Sequence, residues 1–311
     1  MKALVLSGGS IKGAFQAGAI FKILNKSFKP DLITGISVGS LNATFLADAA
    51  LKFPSDDENG FSWSILGQEL YNFWEREVTS PNKLVRKRSA IELGVDLIFN
   101  DFNGLTDNAP LENLLAKSVD FQAIRNNPKV NIMVGAVNLG KGSIDYQNST
   151  YAHFKSHLMA STGIPIIMPG QKLNGDFFLD GGIRDVAPLK AAIKAGATEI
   201  VCIACQVKDL KPIDNFPSGK VMKYAERLMD VVVNELVNND IEQALLYNEL
   251  ISESQVKGVQ LARLAGKRFI DLKVVRPAEQ LDVDIQDFSK SDIDRMLMQG
   301  YKAVPDDWQF S

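Results

Sequence analysis

Two rhythms of apolar residues alternate along residues 1–50. KALVLS (2–7) and DLITGIS (31–37) are short, nearly unbroken apolar runs, the pattern of strands buried on both faces. Each leads through a glycine-bearing turn into apolar residues at helical spacing. The first such stretch is AFQAGAIFKILNK (14–26), with Phe15, Ala19, Ile20 and Ile23 on one face; the second is VGSLNATFLADAALK (38–52). Strand, turn, helix, strand, turn, helix predicts a parallel sheet.

LKFPSDDENG (51–60) reads as a polar loop, and the pattern from Phe61 to about Asn127 is helical and rich in aromatic residues. KVNIMVGAVN (129–138) predicts a strand, YAHFKSHLMAS (151–161) a helix, and GDFFLDGG (175–182) a strand ending in a glycine turn. VAPLKAAIKAGA (186–197) predicts a helix and EIVCIACQV (199–207) a strand. Residues 220 to about 266 are helical; RFIDLKVVRP (268–277) is a last strand and 288–303 a last helix. No repeat, low-complexity segment or clear linker divides the chain. The expectation is one α/β domain over 1–311, a three-layer sandwich with a mainly parallel central sheet. Its core is 1–50 and 129–210, with a helical insertion over 51–128 and a helical C-terminal part over 211–311.

The 311 residues suffice for a large core, and 46% hydrophobic with 23% charged residues is ordinary for a globular protein. A net charge of -3 provides no global field for nucleic acid. The opening MKALVLSGGS breaks at Ser7-Gly8-Gly9, too early for a signal peptide. No run approaches the ~18 apolar residues of a membrane span. The expected place is the cytoplasm, with a peripheral position at membranes. Cys202 and Cys205 form a CxxC without a second pair or nearby histidine to complete a metal site. They are expected as buried thiols on opposite faces of a core strand, as suits a reducing compartment.

Three glycine motifs carry candidate chemistry. Gly35-Ile36-Ser37-Val38-Gly39 is a G-x-S-x-G between a predicted strand and helix. It is a nucleophile elbow or a tight turn. The loop Gly8-Gly9-Ser10-Ile11-Lys12-Gly13 also joins a strand to a helix. It lacks the Lys-Ser/Thr ending of a Walker A loop, and Ser10 stands where a dinucleotide fingerprint has glycine. An oxyanion-binding loop and a plain turn remain. Asp180-Gly181-Gly182 is a carboxylate on a sharp turn or an Asp-Gly turn alone. All three follow strands predicted parallel, so they would share one sheet edge, where ligands bind.

A Ser-His-Asp triad lacks its base here. His153 and His157 both precede Asp180, and no HExxH glutamate accompanies them. They are read as ordinary helix residues. Ser37 is left with Asp180 as base. A carboxyl near its reference value of about 3.9 is poorly matched to that task, and burial would raise it.

The segments LSGGSIKGAFQAG, TGISVGSLNA, and ASTGIPIIMPG through FFLDGGIRDVAPL together resemble the patatin-like phospholipase family of lipid acyl hydrolases. They frame about residues 1–50 and 130–205. The resemblance implies a patatin-like fold and a Ser37–Asp180 dyad working through an acyl-enzyme, with no metal and no cofactor. It implies an oxyanion hole over Gly8, Gly9, Ser10, Lys12 and Gly13, an elbow shaped by Gly35 and Gly39, and an Asp loop at Gly181 and Gly182. The implied partner is a lipid ester at a membrane or micelle surface. Ser10 departs from the family pattern, which has glycine there. Outside these segments only the helical character matches. Phe61, Trp63, Leu66, Leu70, Phe73 and Trp74 read as a packed helix face, with an acyl pocket or lipid-touching lid as the alternative. Lys83, Arg86, Lys87 and Arg88 read as a solvated charged helix, with contact to anionic head groups as the alternative. An acyltransferase on the same dyad and a non-catalytic lipid-binding protein stay open.

Overall fold

A computed structural model of the chain describes residues 1–99, 102–216, 220–259 and 261–310. Parts of two predicted helical stretches, at 100–101 and 260, lie outside the described residues. The elements run β1 (Lys2–Leu6), α1 (Gly13–Asn25), β2 (Leu32–Ile36), α2 (Val38–Lys52), α3 (Trp63–Glu77), β3 (Arg86–Lys87), α4 (Ala90–Phe99), β4 (Thr106–Asp107), α5 (Ala109–Ser118) and α6 (Phe121–Asn126). They continue β5 (Ile132–Asn138), β6 (Ser143–Gln147), α7 (Phe154–Ser161), β7 (Gln171–Leu173), β8 (Asp176–Asp180), α8 (Leu189–Ala195), β9 (Glu199–Ile203), α9 (Val221–Lys257), β10 (Asp271–Val275) and α10 (Lys290–Ala303).

An eight-stranded sheet has the order β10-β9-β1-β2-β5-β8-β7, with β6 also on β5. The strands β10, β9, β1, β2 and β5 are parallel, as the alternation of strand and helix predicts. Successive side chains of β1 go to opposite faces. Leu4 and Leu6 join the core under α1, α2, α3, α7 and α10, while Ala3 and Val5 join the core under α8 and α9. The molecule is thus a mixed α/β fold whose mostly parallel sheet lies between two helical layers.

One expectation about direction is overturned. β8 runs antiparallel to β5, pairing Ala136 with Asp180 and Asn138 with Phe178. Phe178 is two residues before Asp180, so β8 descends towards the site. β5 residues Val134 and Gly135 pair with both β2 and β6, and Ala136 to Asn138 pair with both β6 and β8. A strand has only two sides, so β2 and β8 occupy the same side of β5, end to end. β2 stops at Ile36, opposite Gly135; β8 arrives from the other direction and stops at Asp180, opposite Ala136. This head-on meeting, not a shared strand direction, brings the Asp180 turn to the elbow.

The apolar pattern does not predict the short strands β3, β4, β6 and β7. β6 and β7 have polar, part-exposed residues at most positions, so neither shows the continuous apolar run of a central strand. The α2 helix spans Val38–Lys52, as its apolar spacing predicts. Cys202 lies in β9, as expected, whereas Cys205 lies beyond its end, against the Gly9 loop. Both thiols are buried and unpaired, and burial pushes each up to about 12.

Candidate active site

The elbow is built by close backbone approach. A Cβ on Gly35 would stand 2.5 Å from the Gly39 backbone, and one on Gly39 would stand 2.4 Å from the Leu6 carbonyl oxygen. Both positions therefore demand glycine. Between them Ser37 takes φ 54°, ψ -125°, a left-handed conformation that costs a non-glycine residue about 1–3 kcal/mol. Its carbonyl accepts from Ser40 N at 2.9 Å, and α2 begins at the next residue. Ser37 is 5% exposed.

The Ser37 hydroxyl lies beside the Asp180 carboxyl and favours its charged form. Gly182 N–H donates to Asp180 Oδ1 at 2.7 Å, and Asp180 N–H is held by the Gly163 carbonyl at 3.1 Å. Burial dominates the electrostatics: it raises the Asp180 carboxyl from its ordinary range to about 6, against the lowering effect of the Ser37 hydroxyl and the Gly182 N–H. Gly181 lets this turn close, because a Cβ there would meet the Gly135 carbonyl oxygen at 2.8 Å.

Sequence reasoning missed Ser161. This fully buried residue accepts the Ser37 backbone N–H at 2.9 Å and donates to the Gly135 carbonyl at 2.7 Å. Ser40 Oγ lies 2.9 Å from Ser161 Oγ. A serine at the end of a helix carries no motif; its partner lies 124 residues away in the chain.

The Gly8–Gly13 loop divides into groups that face the site and groups that build it. Among the described residues, no acceptor is bonded to the N–H of Gly9 or Ser10. Gly8 N–H, in contrast, donates to the Val186 carbonyl at 3.0 Å, and Gly13 N–H is turned onto the Ser10 and Ile11 carbonyls. The N–H groups of Gly8 and Gly13 are thus engaged within the protein, and those of Gly9 and Ser10 are open. Gly8 supplies shape, since a Cβ on it would touch Ser37 Cβ at 3.4 Å. Gly13 makes room for Val38 and Trp74. Lys12 is also committed: its Nζ pairs with Asp230 of α9 at 3.1 Å. Ser10 has φ 52°, the region that favours glycine. Replacing Ser10 by glycine is expected to stabilise the protein by about 0.5–1 kcal/mol, measured by urea unfolding.

Ser37 stands where two cavities meet. The larger, about 420 Å³, is lined by the Gly9–Ser10 loop, Asp180, the α9 side chains Arg227 and Asp230, and the 280–285 segment. The smaller, about 40 Å³, is an apolar slot lined by Val38, Leu41, Trp74, Leu84, Leu111 and Met168. Of the aromatic stripe only Trp74 reaches these cavities, with Nε1 on Asn42 Oδ1 at 2.8 Å. Phe61, Trp63, Leu66 and Leu70 pack in the core, and Phe73 lies against Phe45. His153 caps α7, and buried His157 places Nε2 3.1 Å from the Val134 carbonyl. Burial lowers the His157 pKa, and neither histidine lines either cavity.

The family described as patatin-like phospholipase matches residues 4–193. "Probable lipid hydrolase 463L" of invertebrate iridescent virus 6 is 26% identical over 196 residues, which is 62% of this chain and 63% of the viral protein. "Uncharacterized protein YjjU" of Escherichia coli is 26% identical over 204 residues, 65% of this chain and 51% of that protein. The chain thus spans less than two thirds of the length of either relative. A crystal structure of VipD from Legionella pneumophila aligns over 97% of this chain and 65% of its own, with TM-score 0.41 and 16% identity.

Proposed function

We propose, from the premise that this chain belongs to the patatin-like phospholipase family, that it is a serine acyl hydrolase of lipid esters. Ser37 Oγ attacks the ester carbonyl carbon while Asp180 takes its proton. The negative oxygen accepts from the N–H groups of Gly9 and Ser10, near the positive N-terminus of α2. The carbon–oxygen bond to the alcohol breaks, and Asp180 returns the proton to the leaving oxygen. Water, losing its proton to Asp180, then attacks the acyl-Ser37 ester. The free acid leaves and Ser37 regains its hydrogen. Lys12 acts by holding α9 across the larger cavity, through Asp230.

The observation carrying this reading is the Ser37 hydroxyl beside a buried carboxyl that burial has made more basic, both lining one cavity. The apolar slot has room for only the first carbons of an acyl chain, and the larger cavity, lined by both apolar and charged residues, is of a size for the rest of the lipid. On this reading residues 1–311 form one catalytic domain with an insertion over 51–128. Its two unpaired thiols suit a reducing cytoplasm. Among the described residues no helix is long and apolar enough to cross a membrane.

The test is product analysis with phosphatidylcholine micelles, with and without added glycerol. Free fatty acid and lysolipid in both mixtures are the expected products. Dominant acyl-glycerol would reassign the chain to acyl transfer, and no product from either mixture would overturn an unassisted enzyme. Ser161 has a separate expected effect as a positioning residue. Ser161→Ala leaves the Ser37 N–H without its buried partner and loosens the elbow. It should lower kcat by about ten- to a hundredfold while KM for a dissolved ester stays unchanged. Steady-state kinetics on a folded variant separate these two constants.

A further inference from the structure

The helix α4, AIELGVDLIF, has only two charged residues, Glu92 and Asp96. A helix so apolar is ordinarily buried. Here Ile91, Ile98 and Phe99 are 80%, 76% and 75% exposed, and Val95 is exposed beside them. Their spacing of four, three and one places them along one stripe of the helix. The two acids form the neighbouring stripe and are already used. Glu92 pairs with Arg86 at 3.0 Å and Asp96 with Arg88 at 2.6 Å. These pairs tie α4 to its own stem and leave the apolar stripe facing outward.

The stem joins this helix to the site. Leu105 N–H donates to the Ile166 carbonyl at 2.9 Å, and Thr106 N–H to the Ile167 carbonyl at 2.8 Å. Asn103 Oδ1 accepts from Gly170 N–H at 2.9 Å. In the segment so clamped, Ile164 and Ile167 line the larger cavity, Ile164 and Met168 line the slot, and Ile166 is exposed. The stem that carries α4 is therefore fastened to the segment that lines the cavity holding Ser37.

Charge and area identify what covers it. Arg86 also pairs with Asp107, so the acids Glu92, Asp96 and Asp107 are all engaged. Lys83 and Lys87, on the same stem, are exposed and have no acidic partner among the described residues. Four part-exposed side chains offer on the order of 500 Å², less than the ~800 Å² per partner of a stable protein interface. A bilayer boundary needs only an apolar helix face and nearby cations.

We propose that α4 docks through Ile91, Val95, Ile98 and Phe99 onto a bilayer bearing anionic lipid, holding the rim of the cavity against the lipid it draws from. This rests on the lipid-ester reading above for its purpose, while the contact itself is tested separately. The experiment is flotation of the full chain with vesicles of phosphatidylcholine containing about 30% phosphatidylserine. Wild type should float. The double variant Ile98→Glu/Phe99→Glu should bind about tenfold more weakly or worse. Lys83→Glu/Lys87→Glu should weaken binding to these vesicles more than to phosphatidylcholine alone. Both variants should retain wild-type circular dichroism and hydrolyse a dissolved short-chain ester at the wild-type rate.

Failure of wild type to float would overturn the proposal, as would undiminished flotation of the Ile98→Glu/Phe99→Glu variant. A dimer dissolved by that variant, with vesicle binding untouched, would assign the stripe to a second copy and also overturn it. The two readings fail differently. Loss of flotation in the variant, with no ester turnover even in wild type, sustains docking and rejects hydrolysis. Turnover with unaltered flotation rejects docking alone.

Discussion

Replacing Ser37 by alanine is expected to reduce ester turnover by about 10⁴-fold or more. The reason is that alanine leaves no atom to form the acyl-enzyme. The oxyanion donors and cavities stay in place, so substrate binding should change little. The substitution is small at a buried position, and it removes a hydroxyl that lies beside Asp180. Wild-type circular dichroism with lost turnover is the expected combination, read by ester hydrolysis and substrate binding in parallel. Retained turnover in Ser37→Ala would place the chemistry elsewhere.

The second large effect concerns Asp180. An asparagine keeps the shape but cannot take a proton, so Asp180→Asn should lower kcat by about 10³–10⁴-fold. In wild type the base works only when charged. With its carboxyl raised to about 6, kcat/KM should reach half its plateau near that pH. Below it, the rate should fall by about tenfold per pH unit. Stability should move the opposite way. A carboxyl raised in the folded state contributes stability below its unfolded value of about 3.9, and that contribution is lost as pH rises through about 6. The loss is on the order of 3 kcal/mol. Asp180→Asn should therefore be more stable than wild type at pH ~8. The advantage should shrink as pH falls through about 6 towards ~4, where the folded carboxyl is neutral and the unfolded one is only about half ionised. Urea unfolding across this range, beside a pH–rate profile, checks both signs.

The parts of this architecture legible in the chain are those written in local pattern. β1, β2, α1 and α2 combine buried apolar runs with helical spacing, and the glycines at 35 and 39 mark a place where backbones touch. What stayed hidden depends on pairing across long separations. The direction of β8 follows from its register on β5, which no property of FFLD reveals. The role of Ser161 depends on α7 meeting β5 and the turn after β2, and the commitment of Lys12 depends on Asp230, 218 residues away. Gly8 reads like its neighbour Gly9, yet only the fold turns its N–H onto Val186. The α4 sequence reads as a buried helix, and its exposure becomes visible only when its acids are seen gripping Arg86 and Arg88.

The most direct test of the central claim is covalent labelling by a lipid-like fluorophosphonate, read by intact mass. The account predicts a single adduct on wild type, none on Ser37→Ala, and slowed labelling of Asp180→Asn. An adduct that persists in Ser37→Ala, or none on folded wild type with lipid vesicles present, would contradict it.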